Sequence, residues 1–259
     1  MSESEIMTIL ICYHFGTYRN FKEYYLNWGK GVMCQDFPDA VSYNRFVELM
    51  PRVFFKMMLF MKLYAFGHCS EIIYVDSTMI PVCHNVRRYY NKVFSGLARN
   101  GKGTMGWCHG FKLHLLCNDR VEIITFCLTG AKVDDRDVRV WSVLSKELFG
   151  KVFADRGYIK KELFERLFEQ GIHLVHGLKS NMKNKLIPMW NKILMHKRYI
   201  IECINDLLKI KANLVHSRHR SIHNFIMNLC AALAAYCFFD NKPEALPVHV
   251  EKSRLLEIF

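Results

Sequence analysis

Two short apolar runs that each end in an aspartate constrain the fold of this chain most strongly. Residues 71–76 (Glu-Ile-Ile-Tyr-Val-Asp) form one run, and residues 152–155 (Val-Phe-Ala-Asp) form the other. Runs of this length, rich in β-branched and aromatic residues, favour buried strands over helices. Because sites in open α/β sheets gather at the carboxyl ends of strands, we expect Asp76 and Asp155 to lie at one edge of a sheet. The competing interpretation of either aspartate is a cap for the turn that follows.

The remaining hydrophobic pattern alternates between strand-like and helix-like segments. We predict strands at 71–76, 110–117, 121–128, 151–154 and 172–176, and helices at 135–148, 159–170, 197–210 and 221–239. The segment Asn118–Arg120 is a credible hairpin turn between two of these strands. The chain before the first strand predicts short helices, and Ser2 with Glu5 fits a capping box at the first of them.

These segments predict the fold class and the domain boundaries. We expect an α/β protein with a mixed sheet flanked by helices over residues 71–240, preceded by a small all-helical domain over residues 1–70. Residues 241–259 form a C-terminal tail. The N-terminal helices suit either a region that binds DNA or a plain packing domain.

The charge of the chain predicts an anionic partner. Lysine and arginine total 36 against 24 acidic residues, so the net charge is +12 and the pI is near 9.2. Nucleic acid is the commonest partner of such a protein, and a membrane surface is the alternative. The longest uncharged apolar run, residues 225–239, is shorter than the roughly 18–20 residues that span a bilayer. We therefore predict nucleic acid as the partner and no membrane.

Two stretches concentrate this positive charge. Between Asp76 and Asp119 the chain has no acidic residue and six lysines or arginines, among them Arg87 and Arg88, which predicts a flexible basic excursion. A second basic stretch includes Arg218 and Arg220. Both stretches are expected to contact phosphates.

A third carboxylate stands in the predicted helix over residues 197–210. At about 100° per residue, Arg198, Glu202 and Lys209 share one face, and the isoleucines and leucines share the other. A carboxylate between two cations suits a metal ligand beside a phosphate. The alternative is a solvated face with an Arg198–Glu202 ion pair. Together with Asp76 and Asp155, Glu202 can hold two divalent metals for attack on a phosphodiester.

Three further groups receive structural interpretations. Asp134, Asp135 and Asp137 are expected to form the cap and first turn of a helix. His216, His219 and His223 favour a segment that contacts nucleic acid over a zinc site, because Arg218 and Arg220 would repel a cation. The ten cysteines are scattered without a paired motif, which favours free thiols in a reducing cytoplasm.

The motifs in this order resemble the DDE transposases of bacterial insertion sequences, whose catalytic domain has an RNase H-like fold. The resemblance rests on Tyr-Val-Asp-Ser-Thr around Asp76, on Ala-Asp-Arg-Gly-Tyr around Asp155, and on the spacing of Arg198, Glu202 and Lys209. The family signature has a tyrosine three residues before the arginine, where this chain has Met195. The basic segment at 213–221 and the first helix extend the resemblance over nearly the whole chain. Similar proteins usually have additional residues ahead of this start, so the resemblance leaves two alternatives: a shortened DNA-end-binding region, or a start that is assigned internally.

The resemblance also implies an activity. Two Mg²⁺ ions, replaceable by Mn²⁺, would lie among Asp76, Asp155 and Glu202, with Asp76 bridging both. The enzyme would cleave at terminal inverted repeats and join the freed ends to target DNA, as a homodimer or a larger synaptic oligomer beside the bacterial nucleoid. By the resemblance the partner would be double-stranded DNA, with Arg198 and Lys209 holding phosphates near the scissile bond. The two basic stretches predict further DNA contacts at Arg87, Arg88, Arg218 and Arg220. The alternatives are an RNase H-like nuclease without strand transfer and an inactive DNA-binding relic.

Overall fold

The computed structural model describes residues 1–16, 18–103, 106–177, 187–215 and 219–244. Its α-helices are α1 (Glu3–Tyr13), α2 (Phe21–Tyr24), α3 (Tyr43–Leu49), α4 (Phe54–Phe60), α5 (Val138–Leu144), α6 (Lys161–Glu169), α7 (Met189–His196), α8 (Tyr199–Ile210) and α9 (Ile222–Cys237). Its strands are β1 (Ile72–Cys83), β2 (Arg99–Gly103), β3 (Gly106–Asn118), β4 (Ile123–Gly130), β5 (Gly150–Ala154) and β6 (Ile172–His176).

The strands form one mixed sheet, which confirms the predicted α/β class and is consistent with an RNase H-like fold. Strand β1 lies between β3, which is antiparallel to it, and β5, which is parallel; β6 continues beside β5 in parallel. The other edge of β3 is shared by β2, which pairs with the beginning of β3, and by β4, which pairs with the rest. The predicted hairpin between β3 and β4 is therefore present.

Alternating side chains bury both faces of the sheet. Along β1, Tyr74 packs with helices α8 and α9 and the N-terminal helices, whereas Ile73 and Val75 pack with α5 and α6. On β5, Phe153 joins the first cluster and Val152 the second. This period of two is what a strand covered by helices on both sides requires.

Strand β1 is longer than its sequence predicts. We expected it to end at Asp76, but it continues to Cys83 because β3 keeps pairing with it through Ser77–His114 and Met79–Lys112. Its parallel pairing with β5, in contrast, ends at Tyr74. Asp76 therefore lies inside β1, just beyond the point where the strand leaves β5.

The basic excursion is more ordered than predicted. It contains a 3-10 helix over Asn85–Tyr90 and strand β2, which pairs with the beginning of β3. Helix α5 is shorter than the predicted 135–148, because Asp137 caps it by accepting a hydrogen bond from the N–H of Arg139. Strand β6 begins and ends where the pattern placed it.

The N-terminal helices share a hydrophobic cluster with the rest of the protein. Ser2 and Glu5 form the predicted capping box at α1. Ile9 of α1, Leu233 of α9 and Leu115 of β3 all belong to one buried cluster. The division of the chain at residue 70 stays a prediction.

Two further expectations concern cysteines and membranes. All ten cysteines are free thiols. Within the described ranges, no helix has the length and apolar character needed to cross a membrane.

Candidate active site

The two aspartates lie at the same level on neighbouring strands. The last parallel pair of β1 and β5 joins Tyr74 to Phe153, so Asp76 and Asp155 each follow two residues later. Asp155 is exposed, and its carboxylate accepts a hydrogen bond of 2.7 Å from the N–H of Gly157. Asp155 therefore caps the turn that follows it, as the competing interpretation expects, and its carboxylate remains exposed.

Helix α8 carries the third carboxylate to this edge. Its apolar face is buried through Ile200, Ile201, Ile204 and Leu208, as the pattern predicted. On its other face, Arg198 Nη1 lies 3.7 Å from Oδ1 of Asp76, and the same guanidinium pairs with Glu202. The predicted ion pair between Arg198 and Glu202 therefore forms, and it forms beside Asp76 rather than on an isolated solvated face.

Asn205 is a further polar residue at the site. Its Nδ2 donates a hydrogen bond of 2.8 Å to Oδ2 of Asp76, and its side chain is only 3% exposed. The amide oxygen of Asn205, Oδ1, is buried and accepts no hydrogen bond from the described residues. Sequence reasoning missed Asn205, although its place three residues after Glu202 puts it on the same polar helix face.

The pKa of Asp76 reports on this crowding. Burial raises it from the ordinary 3.8 to about 6, while Arg198 and the N–H of Ser77 oppose the rise. The negative charges of Glu202 and Asp155 push it further up. The charge of Asp76 therefore interacts with those of both other carboxylates.

The donor chemistry fits hard divalent cations. Carboxylate oxygens and an amide oxygen are the ligands that Mg²⁺ accepts, and a desolvated carboxylate beside two others favours a bound cation. In the described part of the chain, no three His, Cys, Asp or Glu side chains converge tightly enough to form a metal centre. Arg198 holds Glu202, and the turn after β5 holds Asp155. Gathering the carboxylates around a metal would require both to be released.

A second polar cluster lies on the opposite face of the sheet. Lys112 Nζ is 3.1 Å from Oδ1 of Asp135 and 2.7 Å from the carbonyl oxygen of Val133, and His114 Nδ1 is 3.5 Å from the same carboxylate oxygen. The expectation that Asp135 belongs to a helix cap is therefore wrong. Asp137 caps α5, and Asp135 reaches back to the sheet because β3 presents a buried cation there.

The remaining candidate DNA contacts are dispersed. Lys209 is half-buried near the end of α8, and Arg220 is exposed just before α9. Arg87 is exposed and Arg88 half-buried in the 3-10 helix after β1. Arg218, His216 and most of the segment between β6 and α7 lie outside the described residues.

The histidine triplet is described only in part, because His216 lies outside the described residues. His219 packs its ring on Phe225, with 5.5 Å between the ring centres, and burial lowers the pKa of His219 to about 4. His223 is exposed in the first turn of α9. Neither belongs to a metal-binding group in the described ranges.

Comparison with known proteins identifies the family. A comparison with curated protein sequences gave no match. The family model described as "Transposase DDE domain" matches residues 66–222, which is more than half of the 259 residues and includes Asp76, Asp155 and Glu202. Proteins of this family are transposase-type enzymes that cleave nucleic acid, bind DNA and generally use divalent metals. The chain therefore belongs to the Transposase DDE domain family.

Proposed function

We propose that this protein cleaves DNA at the ends of an insertion sequence and transfers the freed 3′ ends into target DNA. The observation that carries the proposal is the meeting of β1, β5 and α8, where Asp76 interacts electrostatically with both Asp155 and Glu202. Carboxylates that approach one another from distant parts of a sequence are typical of metal-dependent phosphoryl-transfer sites. An ordinary protein surface has no need of such an arrangement.

The carboxylates would hold two divalent cations, Mg²⁺ or Mn²⁺. When bound, such ions supply an activated nucleophile and stabilise the leaving oxygen of an in-line displacement. Asp76 would contribute a ligand together with either of the other carboxylates, because its charge interacts with both and it is the most buried of the three. Asn205 orients Asp76 by holding one of its oxygens.

Arg198 would exchange partners when DNA arrives. In the structure it compensates the charge of Asp76 and Glu202. A guanidinium released from Glu202 can grip a phosphate through paired hydrogen bonds, so Arg198 would bind the phosphate beside the scissile bond. Lys209, about three turns further along α8, would contact the next part of the backbone.

The wider positive surface would hold the duplex. Arg87, Arg88, Arg218 and Arg220 would neutralise phosphates of the terminal inverted repeat or of the target, with a binding strength that falls as salt increases. The helices of residues 1–70 would bind the element end. Because two ends must be held together for transposition, we propose a homodimer or a larger synaptic oligomer.

End cleavage in the presence of Mg²⁺ tests the proposal. A labelled duplex carrying the element's own end would be incubated with the wild type, with Asp155→Asn, and with the control Asp39→Asn, which changes an exposed carboxylate in a loop near the N-terminus. We expect cleavage at the element boundary by the wild type and the control but not by Asp155→Asn.

A second substrate with pre-cut 3′ ends separates the competing functions. Joined products support strand transfer, whereas hydrolysis without joining would identify a nuclease. Specific binding without any cleavage by the folded wild type would identify a DNA-binding relic, and either result would overturn the proposal.

A further inference from the structure

The turn after β1 exposes aromatic side chains in an unusual concentration. Tyr89 and Tyr90 of the 3-10 helix are 80% and 84% exposed, and Trp107 at the beginning of β3 is 65% exposed. We call these three residues the aromatic surface. Large rings left in water at this density mark a binding surface more often than a passive one.

The aromatic surface rests on a fixed backbone. The side-chain amide of Asn85 donates to the carbonyl oxygen of Trp107, which ties the 3-10 helix to β3. Arg88 lies over the ring of Tyr89, 4.6 Å from its centre, and donates to its hydroxyl oxygen over 2.7 Å. Arg88 also lies near His109 of β3, since its charge adds to burial in lowering the pKa of His109. The ring of Tyr89, held in this way, loses little freedom when a partner stacks on it.

The charge around the aromatic surface selects an anionic partner. Residues 77–118 contain no acidic residue. Arg87 is exposed within the same 3-10 helix, and Lys92 and Lys102 are exposed nearby. A protein partner with an acidic face is the alternative occupant, because tyrosine, tryptophan and arginine also concentrate at protein–protein contacts.

We propose that the aromatic surface binds unpaired bases of single-stranded DNA. In a duplex the faces of the bases are stacked on one another, so only unpaired bases offer flat apolar faces next to phosphates. Tyrosine and tryptophan rings accept such faces by stacking, and neighbouring arginines hold the backbone. The proposal rests on the proposed function only in taking DNA as the partner.

The position of the aromatic surface separates it from the carboxylates. Cys83 lies seven residues beyond Asp76 on β1, which corresponds to about 23 Å of strand. The surface therefore lies several nucleotides away from the scissile phosphate. The aromatic surface would hold unpaired bases of a frayed or displaced strand, while the carboxylates act on the scissile phosphate several nucleotides away.

Binding measured without divalent metal tests this surface independently of cleavage. Fluorescence anisotropy in EDTA would compare a labelled 20-nucleotide single strand of mixed sequence with its duplex. The variants would be Tyr89→Ala/Tyr90→Ala, the ring-preserving Tyr89→Phe/Tyr90→Phe, and Phe168→Ala. Phe168 is the matched control because its ring is 55% exposed on α6, a helix outside the surfaces assigned to DNA.

We expect the double alanine variant to bind the single strand at least about tenfold more weakly, with duplex binding changed less than about twofold. The double phenylalanine variant and Phe168→Ala should bind like the wild type. Single-stranded DNA should also quench tryptophan fluorescence in the wild type, and this quenching should be lost in Trp107→Phe.

Three results would overturn the proposal. If the double alanine variant lost affinity equally for single-stranded and duplex DNA, the surface would be a general DNA-binding surface. Unchanged DNA binding with an altered oligomeric state in the alanine variant would make it a contact between copies of the chain. Unchanged binding and unchanged assembly would leave the surface without a role in either. Failure of end cleavage, in contrast, would count against the proposed function and not against this surface.

Discussion

Asn205 donates a hydrogen bond of 2.8 Å to Asp76 and thereby joins helix α8 to strand β1 at the centre of the carboxylates. The two residues are 129 positions apart in the sequence. The contact fixes one oxygen of Asp76 and leaves the other toward Arg198. The site is therefore organised by a neutral amide as well as by charges, and this arrangement has measurable consequences.

Removing the amide should loosen Asp76. We expect Asn205→Ala to lower affinity for Mn²⁺ and the rate of end cleavage by about 10- to 100-fold, as is typical when a residue that orients a metal ligand is lost. Titration of the metal-free protein with Mn²⁺, followed by electron paramagnetic resonance, would measure the affinity directly. Asp206→Asn, on the next, exposed position of α8, is the control. Wild-type Mn²⁺ affinity in Asn205→Ala would contradict a positioning role.

The raised pKa of Asp76 predicts a pH-dependent effect on stability. Below the ordinary pKa of 3.8, Asp76 is protonated in both the folded and the unfolded chain. Between pH 3.8 and about pH 6, the Asp76 carboxyl loses its proton in the unfolded chain before it does so in the folded protein. The free energy of unfolding therefore falls as pH rises through this range. Without divalent metal, Asp76→Asn should therefore gain about 2 kcal/mol relative to the wild type between pH 4 and pH 7.5.

Denaturant melts at several pH values would measure this difference. Asp39→Asn should show a constant offset from the wild type over the same range. A constant offset for Asp76→Asn as well would mean that Asp76 ionises normally. Excess Mg²⁺ should reverse part of the gain, because only the wild type keeps the carboxylate that would bind it.

Arg198 holds the pKa of Asp76 down, so its loss should raise that pKa further. In metal-free Arg198→Gln, we expect the Asp76 carboxyl to titrate above 6, whereas Arg198→Lys should stay closer to the wild type. Carboxyl carbon chemical shifts followed by nuclear magnetic resonance would give each midpoint. A midpoint in Arg198→Gln equal to or below that of the wild type would show that Arg198 does not interact with Asp76 in solution.

The buried contact between Lys112 and Asp135 should matter for stability. Lys112→Met removes the cation and leaves Asp135 next to His114 without compensation, which should lower the free energy of unfolding by about 3 kcal/mol. Lys92→Met, at an exposed position of the same basic excursion, should change it by less than about 0.5 kcal/mol. Similar melts for the two variants would mean that the contact does not contribute.

The sequence predicted those parts of the fold that depend on local pattern. The capping box of Ser2 and Glu5 and the bounds of β6 follow from residues that are neighbours in the chain. The amphipathic face of α8 follows from helical periodicity alone. Asp155 at the end of its strand also followed, because Gly157 permits the sharp turn after it.

The missed features depend on partners distant in sequence. Strand β1 continues past Asp76 only because β3 pairs with it. The segment that contains Ser77 and Pro81 does not have the sequence pattern of a strand. Asp135 pairs with Lys112 instead of capping α5, and Lys112 stands 23 residues earlier in the chain. Asn205 reaches Asp76 only when α8 is packed against β1. No periodicity could reveal these three contacts.

The most direct test of the central claim is to map the metal site with iron. Fe²⁺ would replace Mg²⁺ in the folded protein, and ascorbate with peroxide would generate hydroxyl radicals that cut the polypeptide next to the ion. We expect cuts clustered near residues 76, 155 and 202, suppressed by excess Mg²⁺ and lost in Asp76→Asn. Cuts elsewhere, or cuts that persist in Asp76→Asn, would contradict a shared metal site among Asp76, Asp155 and Glu202.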